Sequence, residues 1–270
     1  EVKPESFPSV PRIFEKVHDT AIASAESEGG LKAAIFRWAF RVGKRYRKVE
    51  AAGKKPGFLL TKQFNFADKA VFSKIRAVFG GNLRVAISGA APIDPEILRF
   101  YEAAGVPLFE AWGMTETSTG GTTNMPGANR IGTVGRPVDA VELKIAEDGE
   151  LLLKGPNVFK GYYKNPEATE ATITDGWLHT GDVASIDEDG YVSIIGRKKE
   201  IIITAGGKNI TPVNIEQEVK RHPLVSQCVV IGDRRPYLIA LLTLDQEALT
   251  RFAAEQGMLD EPAAMVNSPL

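Results

Sequence analysis

Cysteine is almost absent from this 270-residue chain, which has only Cys228. No intramolecular disulfide can form, so burial and hydrogen bonding must hold the fold. The thiol lies in the run Val225-Ser226-Gln227-Cys228-Val229-Val230-Ile231, where it reads as a small core residue rather than a nucleophile. Such usage fits a reducing compartment. Histidine is scarce too, with only His18, His179 and His222, which excludes Cys/His metal clusters of the zinc type. No apolar run approaches the roughly 20 residues needed to span a bilayer. The opening Glu1-Val2-Lys3-Pro4-Glu5 is charged where a signal peptide would be apolar, so none is expected. Charge of one sign is also lacking. Thirty-three basic residues stand against 34 acidic ones, a net charge of −1, and this speaks against nucleic acid as a partner.

What is present is ordinary globular material, 43% hydrophobic and 25% charged. The length exceeds the roughly 100–200 residues usual for one core, so one large domain or two unequal ones are expected. There is no initiator Met, and the end at Met265-Val266-Asn267-Ser268-Pro269-Leu270 carries no stop signal, which leads to the expectation of a fragment.

Residues 1–62 are rich in helix signals. Leu31, Ile35, Trp38 and Val42 form one stripe at helical spacing, with Lys32, Arg37, Arg41, Lys44, Arg45, Arg47 and Lys48 beside it. Phe36 and Phe40 fall off the centre of that stripe. The basic segment 32–62 has two readings: a solvated surface helix, or a peripheral contact with anionic lipid head groups.

An α/β rhythm follows. Ala70, Phe72, Ile75 and Phe79 predict a helix ending at Gly80-Gly81. The strand Leu83–Ile87 runs into the small-residue turn Ser88-Gly89-Ala90-Ala91-Pro92. Asp94 then caps a helix with Pro95 at its first position, where proline costs least. Val106–Ala111 is the next strand. This is the parallel βαβ unit of a doubly wound sheet, in which ligands sit outside the carboxyl ends of the strands. After Gly135 the texture changes to hairpins: Val141–Ile145 with Glu150–Leu153, and Asp182–Ile186 with Tyr191–Ile195. Past Gly196 a third pattern alternates strand and helix. The expected organisation is α/β: a partial doubly wound large domain over 1–196 (βαβ part 64–134, β-rich part 135–196), followed by a small mobile α+β domain over 197–270.

Three segments carry candidate chemistry. In Trp112-Gly113-Met114-Thr115-Glu116 an aromatic face can stack on a base, and a glycine admits close backbone approach. The neighbouring hydroxyl can meet phosphate and the carboxylate can hold Mg²⁺. A polar capping loop explains the same residues equally well. In Gly176-Trp177-Leu178-His179-Thr180-Gly181-Asp182 the aspartate can bind a ribose diol or form a turn, and His179 reads as structural because no nucleophile accompanies it. In Gly196-Arg197-Lys198-Lys199-Glu200, Arg197 offers a planar fork to phosphate or ribose oxygens, and Gly206-Gly207 follow. Neither matches the spacing of a P-loop.

Read in order, these segments resemble the adenylate-forming superfamily of acyl-CoA synthetases, luciferases and peptide-synthetase adenylation domains. The resemblance extends to Gly161-Tyr162-Tyr163 with Asn165-Pro166-Glu167-Ala168-Thr169, and to Gly207-Lys208-Asn209-Ile210. The opening Ser9-Val10-Pro11-Arg12-Ile13-Phe14-Glu15 and the basic helical segment are similar to the long-chain fatty-acid branch. The resemblance implies ATP, Mg²⁺ and coenzyme A as cofactors and a fatty acid as substrate. Gly89 and Ala90 would line the adenine pocket, with Trp112 and Gly113 against the base. Thr115 would bind phosphate, Glu116 would hold the metal, and Asp182 with Arg197 would grip the ribose. Lys199 would be the hinge of the C-terminal domain, and Gly206 and Gly207 would help form the thiol channel. The family's Ser/Thr/Gly-rich phosphate loop and its C-terminal catalytic lysine have no counterpart here, so the expectation is that this polypeptide alone does not form adenylate at a useful rate. Ligation of another acid or to a carrier protein stays open, as does a non-catalytic nucleotide- or membrane-binding module. A cytoplasmic location, with peripheral contact at the inner face of the membrane as its extension, completes the reading.

Overall fold

No alternation of apolar and polar residues marks the first ten positions, yet Ser6–Ser9 form a strand, β1, in this computed structural model, which describes residues 2–27 and 29–255. Pro11 then opens α1 (Pro11–Ser27), with its missing N–H where a helix has no use for one. α2 (Gly30–Ala51) follows. α3 (Phe58–Ala67) continues through a π-helical turn, Asp68–Phe72, into α4 (Ser73–Val78), which stops before Gly80 and Gly81 as their positions predict. β2 (Val85–Ser88), α5 (Pro95–Ala104) and β3 (Leu108–Trp112) make the expected βαβ unit. Asp94 caps α5 by accepting the Glu96 N–H at 2.8 Å, and Gly105 ends it in the left-handed region.

β1, β2 and β3 run parallel, and β4 (Thr122–Thr123) and β5 (Arg136–Pro137) extend the five-stranded sheet antiparallel in the order β1-β2-β3-β4-β5. Helices pack on it around Phe14, Phe72, Phe79, Ala86, Leu98 and Tyr101. The Tyr101 hydroxyl donates to the Phe14 carbonyl at 2.7 Å, so its one buried polar atom is satisfied.

The α2 face departs from the expected stripe. Leu31 is 75% exposed, while Ala39, Val42 and Gly43 are buried and Phe36 and Phe40 pack on the core. Phe40 stacks on Phe100 with centroids 4.4 Å apart. The physical reason is Gly43, where a Cβ would come within 2.7 Å of the Phe72 ring and 3.0 Å of the Ala103 carbonyl. α2 seats Ala39, Val42 and Gly43 against the core, with Ile35 and Trp38 of the expected stripe packed beside them, so only Leu31 departs from that stripe and the buried face is wider than it.

The hairpin region forms a second sheet. β6 (Glu142–Ile145) pairs antiparallel with β7 (Glu150–Lys154), as the turn at Gly149 predicts. After α6 (Pro166–Thr172) come β8 (Ile173–Thr174), β9 (Trp177–Ile186) and β10 (Val192–Arg197), giving the order β10-β9-β7-β6 with β8 on β9.

The chain divides into two compact units. The first holds residues up to Thr180 together with Ala184–Ile194, and the second Gly181–Val183 and residues from Ile195 onward. In the second unit, β11 (Ile202–Ile203) pairs with β12 (Asn209–Ile210), and α7 (Pro212–Lys220) precedes the antiparallel pair β13 (Val225–Ile231) and β14 (Ile239–Leu244), then α8 (Gln246–Glu255). Its core gathers Ile202, Cys228 and Val230. Burial pushes the Cys228 thiol up from its ordinary value, which suits an inert core residue. Among the described residues no helix is long and apolar enough to cross a membrane.

Candidate active site

Two loops leave the same edge of the first sheet. Ser88 and Glu110 are partners in the parallel register of β2 and β3, so the turn after β2 and the segment after β3 emerge side by side. The first loop carries Gly89 and Ala90, the latter at φ 68°, a left-handed conformation uncommon for a residue with a side chain. The Gly89 N–H donates to the Ser9 carbonyl at 3.2 Å, tying this loop to β1. Glu110 is 8% exposed, and burial pushes its carboxyl up to about 7 even though the Ile93 backbone N–H favours the ionised form. Ser88 is fully buried, and its Oγ finds no hydrogen-bond partner among the described residues.

The second loop is held tightly. Trp112 ends β3 half-buried, packed with Leu151, Ala184 and Val192. Gly113 is required by the loop itself, since a Cβ there would overlap the Thr119 backbone. Thr115–Thr117 form a single 3₁₀ turn. The Thr117 hydroxyl accepts the Met114 N–H and donates to the Met114 carbonyl, each at 3.0 Å, while Ser118 and Thr119 take left-handed conformations. This rigid turn exposes Thr115 and leaves Glu116 half-exposed.

A third segment from beyond β7 is stapled to that turn. Asn157 Nδ2 donates to the Thr117 carbonyl at 3.0 Å and to that of Gly120, and Ser118 Oγ donates to the Asn157 carbonyl at 3.0 Å. The Phe159 N–H donates to the Glu116 carbonyl at 2.8 Å. The Tyr162 hydroxyl donates to Glu116 Oε1 at 2.8 Å. Sequence reasoning assigned no role to Asn157 or Tyr162. Their partners lie 40 and 46 residues away, and no local spacing marks such pairs. The one available signal was the Gly161-Tyr162-Tyr163 motif itself.

Thr115 and Glu116 offer hard oxygens, and among the described residues no group of three or more His, Cys, Asp or Glu side chains could hold a metal. One carboxylate beside a hydroxyl suits Mg²⁺ that arrives on nucleotide phosphates rather than in an all-protein cage.

The remaining candidates belong to the second unit. Asp182 is 3% exposed, and Arg197 Nε meets its Oδ1 at 2.9 Å. Lys199 lies on the exposed turn Lys198–Glu200. Gly206 and Gly207 form the tip of the β11–β12 hairpin, where the Gly207 N–H donates to the Thr204 carbonyl at 2.8 Å and φ is 77°. Lys199, Ile203, Asp233 and Arg234 line a pocket of about 550 Å³ in this unit. In the first unit, His179 Nδ1 lies 3.3 Å from Glu150 Oε2.

The chain is 46% identical over 246 residues to the long-chain-fatty-acid–CoA ligase FadD15 of Mycobacterium bovis, covering 91% of this chain and 40% of that protein. It is 36% identical over 271 residues to long-chain-fatty-acid–CoA ligase 5 of Rattus norvegicus, covering 95% and 38%. The chain therefore spans about two fifths of the length of these curated relatives. Among solved structures it is similar to o-succinylbenzoate CoA synthetase of Bacillus subtilis in complex with its acyl-adenylate intermediate, with TM-score 0.58, 30% identity, and coverage of 68% of this chain and 43% of that one. The profile of the AMP-binding enzyme C-terminal domain matches residues 199–268. The AMP-binding enzyme profile itself matches residues 1–163, which hold both loops of the sheet edge and the segment stapled to them, and the chain thus belongs to the AMP-binding enzyme family.

Proposed function

We propose that this chain is the nucleotide-handling part of a long-chain fatty-acid–CoA ligase, which activates a fatty acid with ATP and passes the acyl group to coenzyme A. The observation that carries the reading is the hydrogen-bonded Thr115–Glu116 turn, set beside the Gly89–Ala90 turn at the carboxyl ends of the parallel strands β2 and β3. In the first step a fatty-acid carboxylate oxygen attacks the α-phosphorus of ATP, and the bond to pyrophosphate breaks. In the second the thiol of coenzyme A attacks the acyl carbonyl, loses its proton, and AMP leaves with the bonding electrons. Gly89 and Ala90 would border adenine, and Trp112 would stack on it. The Thr115 hydroxyl would donate to phosphate, and Glu116 would hold Mg²⁺. The metal, when bound, neutralises phosphate charge. Asp182, oriented by Arg197, would accept from the ribose hydroxyls. Lys199 would be the pivot of a small mobile domain over 197–270, swinging against a large domain over 1–196. Gly206 and Gly207 would then border the thiol path.

The test is calorimetric titration with a non-hydrolysable acyl-adenylate analogue carrying a long acyl chain, on this chain and on Trp112→Ala. A loss of about 10-fold is expected, in line with roughly 1–3 kcal/mol per stacked base. Equal affinity for both proteins would refute the reading. A short-chain or aromatic acyl-adenylate binding better than the long-chain one would move the substrate to another acid.

One observation favours a second property, contact with an anionic membrane from the cytoplasmic side. Leu31, Phe58, Leu59 and Phe66 are 60–75% exposed on α2 and α3. Trp38, Arg41, Lys62 and Phe66 line a groove between the same helices. Apolar side chains at a cationic rim are the chemistry of an interfacial helix pair.

A further inference from the structure

Glu116 is the one carboxylate of the 3₁₀ turn, and the two oxygens of its side chain differ. Oε1 accepts the Tyr162 hydroxyl at 2.8 Å, whereas Oε2 accepts no hydrogen bond from any described residue. Tyr162 is itself fixed from several sides. Its N–H donates to Thr169 Oγ1 at 2.9 Å, and that hydroxyl donates to the Asn165 carbonyl at 2.9 Å. Its ring meets Phe159 edge to face at 4.8 Å, and Phe159 is in turn bonded through its N–H to the Glu116 carbonyl. Gly161, just before it, packs so closely on Thr169 that a Cβ would lie 2.6 Å from the Thr169 methyl. The phenol is thus supported by the start of α6, and the carboxylate by the turn after β3.

We infer that Tyr162 is a positioning residue, whose hydroxyl holds Oε1 of Glu116 and leaves Oε2 directed to a divalent cation carried by nucleotide phosphates. The inference rests on the proposed role of Glu116. A carboxylate held by a partner outside the metal's ligand set keeps one orientation without the entropy loss of finding it on binding. A free glutamate side chain would have to be ordered anew with each nucleotide.

The experiment is ATP binding by calorimetry on this chain, with EDTA and with Mn²⁺, supported by the Mn²⁺ electron paramagnetic resonance signal. Wild type, Tyr162→Phe and Glu116→Gln are compared. Tyr162→Phe removes one oxygen and keeps the ring contact with Phe159, so its thermal midpoint should stay near that of wild type. Its affinity without metal should stay within about twofold of wild type, whereas the tightening produced by Mn²⁺ should fall by about 10-fold, the usual scale for a partner behind a ligand. A merely structural role would move both affinities together, and that result would overturn the inference, as would an unchanged Mn²⁺ response. Should Glu116→Gln also respond to Mn²⁺ like wild type, the metal reading of Glu116 itself has failed. Should Glu116→Gln lose the response while Tyr162→Phe keeps it, only the positioning role falls.

Discussion

Ser88 and Glu110 stand side by side on neighbouring parallel strands, one with a buried hydroxyl that has no partner among the described residues and the other with a carboxyl pushed up to about 7. Both lie one or two residues before the loops that carry the candidate adenine-binding positions. A polar pair under a binding edge costs stability, since neither group recovers all the hydrogen bonding it had in water. The cost has a pH signature.

The folded pKa of Glu110 is raised above its unfolded value of 4.5, so the folded protein favours the protonated acid. The contribution of this group to stability is then most favourable below about pH 4.5, falls as pH rises toward 7, and is level above it. The shift corresponds to roughly 3 kcal/mol across that window. Glu110→Gln keeps the volume and removes the titration. Urea unfolding at pH 5 and pH 7.5 should show a smaller decrease between the two for Glu110→Gln than for wild type. Parallel pH profiles would mean that Glu110 is hydrated in solution.

Asp182 and Arg197 make a different kind of pair. The carboxylate side chain is 4% exposed and the guanidinium side chain 50%, so solvent screens only one partner. Removing the arginine leaves a buried charge less well compensated, but access of water to the site limits the penalty. Arg197→Ala should lower stability by about 1–2 kcal/mol, and Arg197→Lys by less, because it keeps the charge and loses the planar fork. Both should weaken binding of an acyl-adenylate analogue if Asp182 meets the ribose. Denaturation and titration on the same samples separate the two effects. A stable Arg197→Ala protein with wild-type affinity would remove Arg197 from the site.

Gly43 shows how packing overrides pattern. The sequence puts Leu31, Ile35, Trp38 and Val42 on one stripe; the last three do face the core, but Leu31 does not, and Ala39 and Gly43 join the buried face. Periodicity weighs hydrophobicity, whereas close packing weighs shape. Gly43→Ala brings a Cβ to 2.7 Å from the Phe72 ring and 3.0 Å from the Ala103 carbonyl. Alanine gains roughly 1 kcal/mol in helix propensity, and overpacking costs roughly 1–3. A net loss of about 1 kcal/mol is expected from chemical denaturation. A stabilised variant would mean that Phe72 can move aside without loss.

The same contrast explains what was legible in the chain. Capping is local chemistry, so Asp94-Pro95 located the start of α5, and the short runs Val141–Ile145 and Glu150–Leu153 located β6 and β7. The parallel βαβ unit followed from them. β1 was not legible, because Ser6–Ser9 alternates only weakly and gains its strand identity from pairing with Val85–Ser88, far along the chain. At the site, the residue types at 112–116 were readable as chemistry that could fit a nucleotide. The staples from Asn157 and Tyr162 were not, since they join segments 40 and 46 residues apart that no local pattern links.

The groove between α2 and α3 yields the last prediction. Lys62 lies over the Phe58 ring at 4.5 Å, so the cation and the aromatic ring are presented together. Arg41 and Lys62 line the groove with Trp38 and Phe66. A surface contact with lipid would draw on both terms, roughly 1 kcal/mol per basic residue near an anionic leaflet and the burial of exposed apolar area. Arg41→Glu with Lys62→Glu removes two positive charges and adds two negative ones, which should abolish flotation with phosphatidylserine vesicles at low salt. Phe58→Ser with Phe66→Ser should weaken flotation while leaving its salt dependence. Vesicles of phosphatidylcholine alone should capture none of the proteins. Wild type that stays at the bottom of the gradient with anionic vesicles would leave α2 and α3 as solvated helices, and equal capture by neutral vesicles would show that adhesion is apolar and that Arg41 and Lys62 do not direct it.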